Sequence, residues 1–219
     1  MAQNYRAAKS GFAKDVQEKL AAQFDKSEAG KTLRWIKMLN ATVPSHIKAA
    51  FDKIPTNIQE CSMDEYHSFL FDGLVLGYLM AALDSGYSEQ LNGKAWVISD
   101  KAIFETNRQR ERIGIFLGFC SKYGLKSAFE FQTDQLFEQT NLNQVIVCLS
   151  QLGIEAQTKP NYHGPKDYWM AKHQQNKREF TEEQLRSGES VIGLQMGTNK
   201  TANASGVSFG AQRHITDSY

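Results

Sequence analysis

The sequence predicts an all-α fold over its first 155 residues. Four segments repeat apolar side chains at the spacing of a helix that faces a core. No segment alternates apolar and polar residues strictly enough to compete as a strand, and glycine-based hairpin signals are absent from this region. With 219 residues, of which 41% are hydrophobic, the chain can bury such a core without a disulfide or a metal.

The first two predicted helices are marked by apolar side chains at helical spacing. Leu33, Ile36 and Leu39 mark the first helix, and Trp35 stands beside them. The second helix covers residues 69–83 and is apolar on most sides, so we expect it to be buried. The long loop between the two is expected to hold a short extra helix, marked by Ile47, Ala50, Phe51 and Ile54.

The third and fourth helices have recognisable ends. Gly124 is placed to end the third helix in the left-handed conformation, with Leu125 packing back on it. Asn141, with Gln144 three residues later, is a capping-box-like start for the fourth helix, and Gly153 is expected to end it. The apolar positions are Ile113, Phe116, Leu117 and Cys120 in the third helix and Val145, Ile146, Leu149 and Leu152 in the fourth.

The flanking segments are less apolar than these helices. Residues 1–23 predict a weakly docked helix, and residues 157–164 have the polar composition of a linker. Pro165 is expected to begin a basic helix that reaches about residue 180. The capping-box sequence of residues 181–184 then predicts a short helical turn that is closed by Gly188.

The basic helix is a candidate for contacting an acidic partner. Within residues 166–178, Asp167 is the one acid against Lys166, Lys172, Lys177 and Arg178. Trp169 lies among these residues. Docking of its ring onto the helical body and contact with a partner are both open, and we favour docking. A cation–π contact with Lys172, about one turn away, would add only ~0.5–1 kcal/mol if exposed.

The overall composition excludes several classes of protein. A net charge of +1 gives no signal for binding nucleic acid or a membrane surface. The N-terminus lacks the apolar core of a signal peptide, and residues 69–83 contain Asp72 and are too short to span a bilayer. Three cysteines without a CxxC pair are typical of a reducing compartment, and no Cys/His spacing indicates zinc. We therefore expect a cytosolic protein without a bound metal.

Nothing in the sequence argues for catalysis. The five histidines are scattered and form no HExxH motif or Ser/His/Asp order. The glycines Gly193 and Gly197 superficially evoke a phosphate loop, but only three residues separate them and Lys200 does not follow directly. Asp72 is the carboxylate closest to a buried context, and a hydrogen-bonding role is preferred for it. We expect a protein that is not an enzyme and uses no cofactor.

The last thirty residues are too polar to bury a core of their own, yet their order is not random. Ile192, Leu194 and Met196 belong to a compact apolar cluster, and the whole of residues 191–216 contains basic side chains but no carboxylate. Such a segment has too few apolar side chains to offset the conformational entropy that it loses on folding alone. It is expected to become ordered on the surface of a partner.

Two parts of the chain resemble the calponin and transgelin family. Residues 191–200, Ser205-Gly206, Phe209-Gly210 and residues 213–215 are similar to the calponin-like repeat. The helical body, about residues 24–152, resembles a calponin-homology domain through the motifs Leu33-Arg-Trp-Ile36, Phe71-Asp-Gly-Leu-Val-Leu76 and Phe131-Gln-Thr-Asp-Gln-Leu-Phe137.

The resemblance implies an organisation in which four main helices, with short connecting helices, precede a mostly extended or disordered repeat. Its parts are an extension at 1–23, the calponin-homology domain at 24–155, a linker and basic helix at 156–189, the repeat at 190–216 and a tail at 217–219.

The resemblance also implies a cytoplasmic, cytoskeletal protein that binds filamentous actin and stabilises or cross-links it in muscle or contractile cells. Thr201 departs from the family, which commonly has glycine there, so filament affinity falls if that position needs a positive φ. The residues expected to contact the filament lie in the basic helix and the repeat and are Lys172, Lys177, Arg178, Ile192, Leu194, Met196, Lys200 and Arg213.

A second hypothesis, from a different functional class, is a signalling adaptor whose calponin-homology domain recruits a regulatory protein. Thr198, Thr201 and Ser205 are candidate phosphorylation sites, because they lie in a basic segment where a phosphate would offset Lys200. For any one of them, a solvated hydroxyl without a regulatory role is the more common case. Deleting the repeat separates the two hypotheses, since an adaptor would keep its partner.

Overall fold

The computed structural model describes residues 10–172 and 180–190. Within these ranges the regular elements are all helical and there is no strand, so the predicted all-α fold is confirmed. The chain divides into two units, residues 1–172 and residues 173–219. The first unit contains α1 (Phe12–Ala22), α2 (Lys26–Met38), α3 (Ser45–Asp52), α4 (Met63–Leu70), α5 (Leu74–Leu83), α6 (Ala102–Tyr123), α7 (Thr133–Phe137) and α8 (Leu142–Gln157), and the second contains α9 (Glu182–Ser190).

The core of the first unit is built around α5. Every residue of this helix except Ala82 is buried, and the helix packs against α3, α4 and α6, while α2 packs against α8. Trp35 on α2 and Phe116 on α6 are fully enclosed, as their predicted positions on apolar faces require. Burying a large apolar side chain of this kind stabilises the fold by about 1.5–3 kcal/mol. The predicted short extra helix is confirmed as α3.

The second predicted helix is wrong as a single element, because the chain breaks within residues 69–83. Helices α4 and α5 meet at a bend of 70°. Gly73 lies at the break with φ of 75°, and a Cβ there would be 2.6 Å from the Cβ of Arg112. The backbone N–H of Leu74 donates to Asp72 Oδ1 at 2.9 Å, so this carboxylate starts α5. Burial raises the pKa of Asp72.

The ends of the third and fourth predicted helices differ in outcome. Gly124 ends α6 with φ of 109°, and the N–H of Leu125 donates to the carbonyl of Cys120 at 3.0 Å, which confirms the predicted end. Asn141 caps α8 as predicted, since its side chain accepts from the N–H of Gln144. Gly153 does not end α8, which continues to Gln157. The prediction failed because this glycine serves a packing contact described below.

Three further properties of the described residues bear on function. No single helix among them is long and apolar enough to cross a membrane. The bent pair α4–α5 is long and apolar enough only when the two helices are taken together. They contain no group of three or more His, Cys, Asp or Glu side chains that could hold a metal ion. Cys61, Cys120 and Cys148 are free and buried, and burial raises the pKa of the Cys61 thiol to about 12.

Candidate functional site

Residues 158–172 lie along the helical domain and are called the strap here. Two aromatic side chains of the strap, Tyr162 and Trp169, are buried. The indole Nε1–H of Trp35 donates to the Tyr162 hydroxyl at 2.8 Å, and the rings of Trp35 and Trp169 meet edge to face at 5.7 Å. The strap, whose residues 158–164 were predicted as a polar linker, is therefore packed against α2.

Trp169 is the central anchor of the strap. Its indole lies directly on Gly153, where any Cβ would collide with the indole nitrogen. Its backbone N–H donates to Gln157 Oε1 at 2.7 Å, and Gln157 Nε2 donates to its carbonyl at 3.1 Å. Docking of this tryptophan onto the helical body is thus confirmed. The cation over its ring is Lys31, at 5.1 Å, rather than the Lys172 considered from the sequence.

Two tyrosines extend this attachment. The Tyr168 hydroxyl donates to the carbonyl of Lys31 on α2 at 2.8 Å. The Tyr162 hydroxyl, which accepts from Trp35, donates to the carbonyl of Pro165 at 3.4 Å. Burial raises the pKa of both Tyr162 and Tyr168, so their hydroxyls stay protonated and able to donate.

The helix predicted from Pro165 is wrong over residues 165–172, which form turns and bends. The physical reason is local competition for the backbone. Trp169 gives both its N–H and its carbonyl to the side chain of Gln157, and these groups are then not available to a helical ladder. The remainder of the predicted basic helix up to residue 179 lies outside the described residues.

Lys172 is the member of the predicted filament-contact set that the structure describes. Its Nζ lies 2.5 and 2.7 Å from the two carboxylate oxygens of Glu155 on α8. The pair fastens the end of the strap to the helical domain and offsets the charge of the lysine. The other expected contact residues, Lys177, Arg178, Ile192, Leu194, Met196, Lys200 and Arg213, and the candidate phosphorylation sites Thr198, Thr201 and Ser205, lie outside the described residues.

The predicted capping box at residues 181–184 is confirmed in the second unit. The N–H of Gln184 donates to Thr181 Oγ1 at 3.4 Å, and the N–H of Thr181 donates to Gln184 Oε1 at 3.1 Å. Helix α9 begins directly after this cap, but it continues through Gly188 to Ser190, past the predicted end.

A cleft of about 830 Å³ that the sequence did not reveal lies beside the strap. Its walls include Leu83 and Tyr123, the last residues of α5 and α6, together with Lys122 and Lys159. The C-terminal ends of helices carry partial negative charge, which lysines offset. Lys159 Nζ also lies 5.2 Å from the centroid of the Tyr123 ring, and burial raises the pKa of that tyrosine to about 12. Lys159 of the cleft thus has a structural partner in Tyr123.

Comparison with known proteins agrees with the features described above. A family model described as the calponin family repeat matches residues 192–215. Myophilin from Echinococcus granulosus is 35% identical over 208 residues, which cover 95% of this chain and 96% of that protein. No solved structure matches.

Proposed function

This chain belongs to the calponin, transgelin and myophilin family, and from that membership we propose that it binds and stabilises actin filaments. The family is cytoskeletal and non-enzymatic. Two properties of the same segment support the proposal. Residues 192–215 match the calponin repeat, and they combine apolar anchors with basic side chains and no carboxylate. We place the protein in the cytoplasm of muscle or contractile cells.

The repeat binds by ordering on the filament. Ile192, Leu194 and Met196 enter an apolar groove, while Lys200 and Arg213 meet acidic side chains around it. Ordering a segment that does not fold alone costs ~2–5 kcal/mol of the interaction free energy. A single copy therefore binds with about micromolar affinity, and salt weakens it by screening the basic residues.

The helical domain is the scaffold in this mechanism. Its strap ends at Lys172, the residue from which the chain continues toward the repeat. Because Glu155 pairs with Lys172, we assign this lysine mainly to holding the strap end in place. Lys177 and Arg178 come later in the chain and supply attraction to the acidic filament.

Replacing the apolar anchor tests the proposal in the full-length chain. Ile192, Leu194 and Met196 are changed together to serine, and binding is measured by high-speed co-sedimentation with filamentous actin. Losing an apolar anchor of this size costs at least ~2 kcal/mol, or roughly thirty-fold in affinity.

A matched control introduces serine elsewhere in the same segment. Ala202→Ser with Ala204→Ser changes small side chains of the repeat and leaves the anchor intact. This control is expected to bind as the unaltered chain does. Equal binding by the anchor variant and the control would refute the assignment of the anchor.

A further inference from the structure

Four large apolar side chains are exposed at one corner of the helical domain. Val97 and Ile98 end the loop before α6 and are 49% and 53% exposed, and Ile103 and Phe104 in the first turn of α6 are 78% and 54% exposed. These residues are called the apolar corner here. Scattered apolar residues are common on protein surfaces, but contiguous exposed groups mark interaction sites.

The loop that carries Val97 and Ile98 is held rigidly by two arginines of α6. Arg112 is fully buried, and its guanidinium donates to the carbonyls of Ala95 at 2.7 Å and Val97 at 3.2 Å. Arg108 Nη1 donates to the same Val97 carbonyl at 2.7 Å. Burying a guanidinium costs free energy that its hydrogen bonds must offset, so the loop conformation is strongly specified.

The same loop is fixed at two further points. Trp96 is buried against Gly77, where a Cβ would collide with the indole, and the Trp96 carbonyl lies 2.9 Å from Nε2 of His46. The N–H of Ser99 donates to Glu105 Oε2 at 2.6 Å, which joins the loop to α6. The two halves of the apolar corner are thus held side by side on one rigid surface. A rigid surface binds a partner with little loss of conformational entropy.

The charges around the apolar corner favour an acidic partner. Lys94 and Lys101 are exposed beside it, and Lys101 Nζ lies 5.7 Å from the centroid of the Phe104 ring. Asp100 is the exposed acid of this loop. The acid Glu105 in the first turn of α6 forms an ion pair with Arg112, with 2.9 Å between Oε1 and Nη1. An apolar centre with a basic rim is the same combination that the repeat offers.

We propose that the apolar corner is a second actin-filament contact, which lets one chain bridge two filaments, one held by the repeat and one by the helical domain. The inference rests on the proposed function, because the repeat supplies the first contact. It assigns cross-linking to a surface that precedes the repeat in sequence. Phe104 and Ile192 are 88 residues apart. Charge complementarity with an acidic filament selects this partner.

The test separates binding from bundling in the full-length chain. Ile103→Ser with Phe104→Ser removes the two apolar side chains of the first turn of α6, and high-speed and low-speed sedimentation of actin filaments then report binding and bundling. Bundling is expected to fall at least about ten-fold, while binding through the repeat stays within about two-fold. Changing both Lys94 and Lys101 to glutamate is expected to lower bundling in the same direction.

Phe12→Ser is the matched control, since it removes an exposed aromatic side chain, 82% accessible, from α1. This control is expected to bundle as the unaltered chain does. Unchanged bundling by the corner variant, or binding without any bundling by the unaltered chain, would overturn the inference. The first of these results would leave the corner to a regulatory protein, as in an adaptor. Failure of the unaltered chain to bind at high speed would instead refute the proposed function itself.

Discussion

The glycines of this chain have different structural roles. Gly153 lies in the middle of α8 and makes room for the indole of Trp169. Gly114 and Gly118 lie on the exposed side of α6, where a Cβ would have no neighbour within 4 Å. A glycine near the end of an apolar period predicts a helix end equally well in sequence, so only the packed structure distinguishes a helix end from a close approach.

Gly153→Ala should destabilise the domain and loosen the strap. The new Cβ collides with the Trp169 indole, and overpacking of this kind typically costs ~1–3 kcal/mol. Urea unfolding followed by tryptophan fluorescence measures the change.

Gly118→Ala is the control for this substitution, because it adds the same methyl group to an open site. Replacing glycine by alanine within an exposed helix should stabilise the domain by roughly 0.5–1 kcal/mol. Equal effects of the two substitutions would mean that Trp169 does not press on position 153.

The burial of Arg112 and its hydrogen-bond partners could not be predicted from the sequence. Its position in α6 falls in a stretch with several charged residues, which would normally face solvent. Instead its guanidinium is buried and donates to the carbonyls of Ala95, Val97 and Asp72 and to the carboxylate of Glu105. The three carbonyls come from two loops outside α6, and pattern analysis within one helix cannot identify them.

At the scale of the elements, the helices were predictable where one face was clearly apolar. Helix α2 and the middle of α6 follow their apolar period closely. The break between α4 and α5 was not predictable from this period, since residues 69–83 are apolar on nearly every side. A helix without a polar face gives no period to interrupt. The remaining signal was Asp72-Gly73, which joins a capping carboxylate to a residue tolerant of positive φ.

The strap was predicted partly as a linker, over residues 157–164, and partly as a helix from Pro165, for a related reason. Its composition is polar, and its anchors Tyr162, Tyr168 and Trp169 are separated by residues without a helical or strand period. Each anchor contacts α2: Tyr162 and Tyr168 through hydrogen bonds, and Trp169 through a ring contact. Single aromatic residues in a polar segment were thus the available sign that it packs on a domain.

The contact between α4 and α7 predicts a pH dependence of stability. His67 on α4 is half-buried, with its Nε2 3.3 Å from the carbonyl of Phe137 on α7, and burial lowers its pKa below 6.5. Backbone acceptors and Asp64 oppose that shift without reversing it. A lowered histidine pKa means that the unfolded chain binds a proton first as the pH falls. The free energy of unfolding should therefore decrease as the pH falls below about 6.5.

His67→Gln tests this origin. Glutamine keeps an N–H donor for the Phe137 carbonyl but does not titrate. Urea unfolding of both proteins from about pH 7.5 to about pH 5.5 should show a smaller loss of stability in the variant than in the unaltered chain. Equal losses of stability in the two proteins would mean that other groups cause the pH dependence.

At the scale of the whole molecule, the chain joins a packed domain to a segment that is too polar to fold alone. The domain was predictable because its core depends on apolar periods that lie within single helices. The filament contacts remain proposed, and the match to the calponin repeat covers five of the proposed residues, Ile192, Leu194, Met196, Lys200 and Arg213. The apolar corner was not predictable, since exposure depends on how the loop before α6 is held by Arg112.

The central claim is that the repeat carries the first filament contact. The most direct test is co-sedimentation with filamentous actin, at low and physiological salt, of the full chain and of a chain that ends at Gly188. We predict that the full chain binds, that salt weakens its binding at least about three-fold, and that the shortened chain, which keeps only the contact at the apolar corner, binds at least about ten-fold more weakly. Equal binding by the two chains would contradict the claim and move the contact to the residues before Gly188.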